Sequence, residues 1–235
     1  MEKFEILEAN NIHVVKPNVN FVDKVDGDAI CRKLDRSART CYLSEPKDDP
    51  YSALKRCIKS GHTSILEHVQ LTYEVISDRG IMWEITRHRH TAYSIESTRY
   101  CNYGKKGYYV LCPVMLQNKD AERREWEKSI VSSIKGYEDL LNWGITPETA
   151  RSTLPAAIKT KMRISMNVRE LGTMLALRAA KPSHPDFKMI AIPMLLQLRK
   201  RIPFIFDSIE YDEEFYKTHL SEECVEDICT FCPEE

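Results

Sequence analysis

The chain has 235 residues, 43% apolar and 29% charged, an ordinary globular balance with material for one large domain or two small ones. Its formal charge of −1 argues against a nucleic-acid coat protein or a polybasic membrane binder, so an anionic partner must meet a local cluster of cations. The start, Met1-Glu2-Lys3-Phe4-Glu5-Ile6, is charged where a secretory leader needs an apolar run. The apolar stretch 190–198 is broken by Pro193 and is far too short for a membrane span. Eight cysteines without a short-spaced extracellular framework read as free thiols of a reducing compartment, which makes the cytoplasm the expected location.

Residues 12–16 read as a short strand, and 28–36 and 51–60 as helices, the second closed by Gly61 as a C-cap signal. Residues 69–75 alternate and carry β-formers, predicting a strand. Asp78-Arg79-Gly80 turns the chain into a helix over 81–89. Residues 90–103 lack helical periodicity and are expected to be irregular, and 108–112 form a short strand ended by Pro113. A long amphipathic helix is predicted over 120–142. Pro147 follows Thr146, a possible N-cap, at a position where a helix first turn tolerates proline. Two more helices are expected over 166–180 and 185–200. No repeat or Gly/Ser-rich linker divides the chain. The expectation is therefore one α+β domain over residues 1–206, with a modest sheet and several long helices, then an acidic, Cys-bearing extension over 207–235.

The most unusual stretch is Arg87-His88-Arg89-His90-Thr91-Ala92-Tyr93-Ser94-Ile95-Glu96-Ser97-Thr98-Arg99-Tyr100, where three arginines and two histidines surround four Ser and Thr hydroxyls. Arginine grips phosphate with a planar fork of donors, and hydroxyls with loop N–H groups can complete such a pocket. The plainer alternative places residues 87–90 at a helix C-terminus, where cations suit the dipole, but leaves Ser94 through Arg99 unexplained. A noncatalytic RNA-binding loop is the rival reading, since Tyr93, Tyr100 and Tyr103 could stack bases. Further on, Asn167, Leu171, Met174 and Arg178 fall on one face of the helix predicted over 166–180. That face suits a heterocycle lying on Leu and Met, or equally a core with a paired arginine.

Arg-His-Arg, seven intervening residues and then Ser (Arg87, His88, Arg89 and Ser97), followed by Thr98-Arg99-Tyr100, resembles the signature of the flavin-dependent thymidylate synthases. Three more segments are similar to family motifs, in order. They are Ala38-Arg39-Thr40-Cys41-Tyr42, then Gly61-His62-Thr63-Ser64-Ile65-Leu66-Glu67-His68, then Arg151-Ser152-Thr153-Leu154-Pro155 with Asn167, Arg169 and Arg178 beyond it. The similarity runs from about residue 30 to residue 205. It implies a cytoplasmic methyltransferase that converts dUMP to dTMP. Methylenetetrahydrofolate would be the carbon donor and NADPH-reduced FAD the hydride donor, in a homotetramer with shared sites.

The resemblance also implies residue roles. Arg178 ionises the pyrimidine. Ser97, Thr98, Arg99 and Arg151 hold dUMP, joined by Glu84, Glu96 and Arg87. Arg87, His88 and Arg89 contact FAD, with His62, Ser64, Glu67, Asn167, Arg169 and Thr173 completing the flavin environment; His68 stays open between contact and structure. Two departures concern the pyrimidine side: in Ser94-Ile95-Glu96 the carboxylate is displaced by one position, and Glu84 stands where a neutral Gln is common, so it must be paired or turned away. No Gly-x-Gly-x-x-Gly occurs, and Gly104-Lys105-Lys106-Gly107 is no Walker A loop, so a dinucleotide needs side chains instead. No Pro-Cys-His occurs to carry a covalent thiolate mechanism. Cys224, Cys229 and Cys232 with His219 permit a zinc or iron–sulfur reading, but an acidic tail with free thiols and no metal is the expectation.

Overall fold

The computed structural model describes residues 4–45 and 49–220. In chain order the elements are α1 (Glu5–Glu8), β1 (Ile12–Val14), β2 (Asn18–Phe21), α2 (Gly27–Thr40), α3 (Ser52–Lys59), β3 (Gln70–Asp78), α4 (Arg79–Ile85) and β4 (Thr91–Ile95). They continue as α5 (Tyr103–Lys106), β5 (Tyr108–Val110), α6 (Asp120–Asn142), α7 (Pro147–Ala150), β6 (Lys159–Asn167), α8 (Val168–Arg178), α9 (Pro185–Arg201) and α10 (Glu213–His219). The fold is α+β, with a four-stranded sheet in the order β2-β3-β6-β4 and a parallel β1-β5 pair in which Ile12 faces Tyr108. Among the described residues no helix is long and apolar enough to cross a membrane.

The chain forms two compact units. The first takes the residues up to Asn18, Val75–Arg87 and Ser94–Met162. The second takes Val19–Glu74, His88–Tyr93 and the chain from Arg163 onward.

In the first unit, α6 turns Ile130, Ile134 and Tyr137 inward, at helical spacing, onto Leu7, Ile12, Tyr108, Val110 and Ile158. Each fully buried aliphatic chain of this kind contributes about 1.5–3 kcal/mol. Buried Glu127, also on α6, accepts from the N–H groups of Ile6 (3.1 Å) and Leu7 (3.3 Å) in α1. A carboxylate at a helix start thus satisfies two donors that the helix itself cannot.

In the second unit, α9 is apolar nearly all round and buries Ile190, Ala191, Ile192, Met194, Leu195 and Leu198, as expected of a central helix. The start of α2 passes so close to its end that a methyl group on Gly27 would overlap the carbonyl oxygen of Arg201. Gly27→Ala should therefore lower stability by about 1–3 kcal/mol, as overpacking does. A thermal melt checks this, with an expected fall of roughly 3–10 °C.

Several boundaries differ from the sequence expectation. The helix expected over 28–36 runs on to Thr40, with Asp26 as its N-cap. The helix expected over 81–89 starts two residues earlier, at Arg79, because Asp78 caps it by accepting from the Ile81 N–H (2.8 Å), and it ends at Ile85. The stretch 90–103, expected to be irregular, contains the edge strand β4, whose polar residues hid its alternation. Strand β6 is not among the expected elements, although Thr160, Met162, Ile164 and Met166 alternate inward along it. Strand β2 and helix α10 were likewise unforeseen.

Candidate active site

Helix α3 closes with a Schellman turn: the His62 N–H bonds to the Cys57 carbonyl (2.8 Å) and the Gly61 N–H to that of Ile58 (3.0 Å). Gly61 adopts φ 73°, a conformation that glycine tolerates without strain. The turn delivers the chain into a 3-10 helix over Thr63–His68, which presents Glu67 to α8.

Helix α8 carries most of the second unit's candidate residues. Asn167 is its N-cap and not part of the helix face, and its Oδ1 accepts from the Glu170 N–H (2.8 Å). Arg169 pairs with Glu67 at 2.5 Å, and the Thr173 hydroxyl donates to the Arg169 carbonyl (3.2 Å). Leu171 and Met174 are fully buried in the core, so they offer no platform for a heterocycle. A pocket of about 330 Å³ opens on this helix, lined by Glu67, His90, Asn167, Arg169, Glu170 and Thr173. Four of these six are residues expected around a flavin. His62, Ser64 and Arg89 are exposed and are not among those lining the pocket.

Glu170 and His90 were not foreseen, although Glu170 stands three residues after the Asn167 cap, at capping-box spacing. Its carboxylate instead lies 3.3 Å from Nδ1 of His88. His88 is only 8% exposed, and its Nε2 accepts from Nε of Arg178 at 3.3 Å. Burial first, then the Arg178 charge, hold the His88 pKa below its ordinary value of 6.5, against the opposing pull of Glu170. The ring is therefore neutral near pH 7. The Arg178 guanidinium also lies over the ring of Phe187, 4.8 Å from its centroid. The Tyr93 hydroxyl donates to the His88 carbonyl at 2.6 Å, completing a packed cluster around the imidazole.

The first unit holds the rest. Glu96 is anchored at both oxygens: Oε1 accepts from the Tyr103 hydroxyl (3.0 Å), and Oε2 from Lys159 Nζ (2.7 Å) and the Lys161 N–H (3.2 Å). Its own N–H donates to the Lys161 carbonyl (2.9 Å), and Arg79 donates to its carbonyl (3.3 Å). These bonds tie the carboxylate into its own unit. Beyond it, the Ser97 hydroxyl accepts from the Arg99 N–H (3.3 Å), and buried Thr98 accepts from Arg151 Nη1 (3.1 Å). Arg99 pairs with Glu148 at 2.8 Å, both groups half-exposed. Ser97, Thr98, Arg99 and Arg151 are thus brought into one loop cluster. Glu84 is half-buried on α4, and Arg87 is exposed just after that helix.

The early motif proves structural. Asp35 and Arg39 are both buried on α2, with Arg39 Nε donating to Asp35 Oδ2 at 2.6 Å. Asp35 also accepts from the N–H groups of Ala53 (3.0 Å) and Leu54 (2.9 Å), which anchors α3. Burial pushes the Cys31 thiol up to about 11, far from a reactive thiolate. The Cys224, Cys229 and Cys232 segment lies outside the described residues.

A family model described as "Thymidylate synthase complementing protein" matches residues 26–204. The chain belongs to the flavin-dependent thymidylate synthase family. Curated members include the flavin-dependent thymidylate synthase of Geobacter sulfurreducens, 29% identical over 72% of this chain and 78% of its own length. That of Pyrococcus abyssi is 33% identical over 66% of this chain and 65% of its own length. The enzyme class expected from the motifs is thus the one these relatives carry. In fold the synthase is similar to the crystal structure of a UMP/dUMP methylase, PolB from Streptomyces cacaoi, bound with 5-Br dUMP. That likeness has a TM-score of 0.71 and 20% identity, and covers 88% of this chain and 97% of PolB.

Proposed function

We propose that this family member converts dUMP to dTMP, with methylenetetrahydrofolate as carbon donor and NADPH as the source of reducing equivalents, through bound FAD. The observation that carries the reading is the arrangement on α8. A polar pocket lined by Glu67, Asn167, Arg169 and Thr173 shares Glu170 with the His88–Arg178 cluster. An amide, a guanidinium and a hydroxyl on one wall suit the polar edge of a flavin, and the Rossmann turn that would otherwise hold a dinucleotide is absent from the sequence. When bound, the flavin supplies the hydride for methylation.

The chain's own residues then bind and polarise. Ser97, Thr98, Arg99 and Arg151 hold the phosphate and sugar of dUMP, where a guanidinium fork and hydroxyls match phosphate oxygens. Arg178 stands at the N3–C=O edge of the uracil and stabilises the anionic form of the ring. Arg87 and Arg89 hold the flavin's phosphates, His62 and Ser64 extend its binding surface, and Glu84 lies on the pyrimidine side, where its carboxylate must be paired or turned away. The enzyme works in the cytoplasm as a homotetramer whose sites are shared between subunits.

Glu96 acts through the loop, not on the nucleotide. Glu96→Gln keeps the shape but loses the charge-assisted bonds to Lys159 and the Lys161 N–H. Steady-state kinetics should show the KM for dUMP raised about tenfold, the equivalent of 1.4 kcal/mol, with a smaller change in kcat.

The function is tested on purified protein. It should be yellow, oxidise NADPH in a dUMP-dependent manner, and form dTMP only when methylenetetrahydrofolate is added. Colourless protein with steeply salt-dependent RNA affinity and no turnover would instead support the RNA-binding reading.

A further inference from the structure

We propose that Glu170 and His88 are positioning residues that aim the Arg178 guanidinium at its ligand: the carboxylate selects the imidazole tautomer, and the imidazole holds the arginine. The inference rests on the proposed role of Arg178 at the pyrimidine. An arginine on a helix end has several rotatable bonds, so a preorganised charge needs something to fix its plane. Contacts to His88 and Phe187 contribute to this: Nε donates to Nε2 of His88 at 3.3 Å, and Cζ lies 4.8 Å from the centroid of Phe187, a fully buried ring. Together they leave the guanidinium little freedom to rotate.

The first contact exists only if Nε2 of His88 carries a lone pair, which requires the proton to sit on Nδ1. The carboxylate of Glu170, 3.3 Å from Nδ1, accepts that proton's hydrogen bond and so selects the tautomer. Glu170 is in turn placed by helix geometry, three residues beyond the Asn167 cap that holds its N–H. Among the described residues, the groups that face His88 are Glu170 and Arg178, with the Tyr93 hydroxyl bonded to its backbone carbonyl. Protonation of His88 would remove the lone pair and set an imidazolium against the guanidinium. The arrangement is thus intact above the depressed His88 pKa and lost as pH falls through it. Because Glu170 also lines the pocket, a ligand seated there touches the group that sets the chain of contacts in order.

The test does not depend on turnover alone. In full-length protein labelled at histidine with ¹⁵N, the His88 signals, assigned by their loss in His88→Asn, should report the Nδ1–H tautomer and titrate below 6.5. In Glu170→Gln the midpoint should move lower still, since the carboxylate that favours the charged ring is gone. In dTMP assays both variants should lower kcat by about 10- to 100-fold, the scale of a misplaced catalytic group, with KM for dUMP changed less than about threefold. The acid limb of the kcat profile should vanish in His88→Asn and shift to lower pH in Glu170→Gln.

An Nε2–H tautomer in the wild type would overturn the proposal whether or not any variant folds. So would a Glu170→Gln enzyme within twofold of wild type with an unmoved acid limb. If wild-type protein forms no dTMP, the functional reading fails, while the tautomer measurement still decides the relay.

Discussion

Arg178→Ala is expected to lower the rate of dTMP formation by about 100-fold or more, the cost of removing one preorganised charge donor from an active site. The physical reason is differential. In the proposed reaction the uracil is neutral in the ground state and needs little from a cation, whereas negative charge would develop on its N3–C=O edge as the ring is activated. The loss should therefore fall mainly on kcat, with a modest change in the KM for dUMP. Loss of the stack on Phe187 and of the bond to His88 costs about 1–2.5 kcal/mol of stability, so the variant should remain folded and yellow. Arg178→Lys should recover little, because an ammonium cannot keep both the bond to His88 and a planar fork toward a ligand. Steady-state assays with flavin absorbance recorded on the same samples check each part.

The second large effect is on stability. Asp35→Ala should destabilise the fold by about 3–5 kcal/mol, the cost of breaking a buried ion pair from one side. The carboxylate serves three buried donors at once: Arg39 Nε, the Ala53 N–H and the Leu54 N–H. Alanine leaves all three without it, and among the described residues the Arg39 charge keeps the Glu45 carbonyl and the Ser52 hydroxyl. Asp35→Asn retains an acceptor oxygen and should cost less. For a chain of this length the alanine variant should melt roughly 6–20 °C lower, read by differential scanning calorimetry. An unchanged melting temperature would show that α2 and α3 are held by their apolar contacts alone.

The elements that stood out in the sequence were those whose pattern is local. Helix α6 was read with its observed limits because its apolar residues recur at helical spacing over six turns and its ends are polar. Gly61 was read as a C-cap because only its conformation, not a distant partner, is at stake. Strand β6 is equally local, since Thr160, Met162, Ile164 and Met166 alternate along it, but the lysines and arginine between them weaken the apolar signal. Candidate residues were legible as a set through the family's motifs, and four of them do line one pocket.

Their individual roles were not legible, because these depend on long-range partners. Arg178 meets His88 across 90 residues of sequence, and Lys159 meets Glu96 across 63. Nothing in either neighbourhood announces the pair. The Ala38-Arg39-Thr40 motif carries no role that its own residues reveal, and it serves to join two helices, since an arginine reads the same in sequence whether it faces a ligand or a buried aspartate. Leu171 and Met174 shared a helix face with Arg178 and went into the core, which is where apolar residues at that spacing ordinarily go.

The most direct measurement is a crystal structure of the protein with flavin and dUMP bound. The predicted result has the Arg178 fork about 2.7–3.1 Å from the uracil N3–C=O edge, its Nε still on His88, and Ser97 with Arg151 on the phosphate and sugar. A uracil ring bound elsewhere, with Arg178 turned into solvent and no flavin beside α8, would contradict the account at its root.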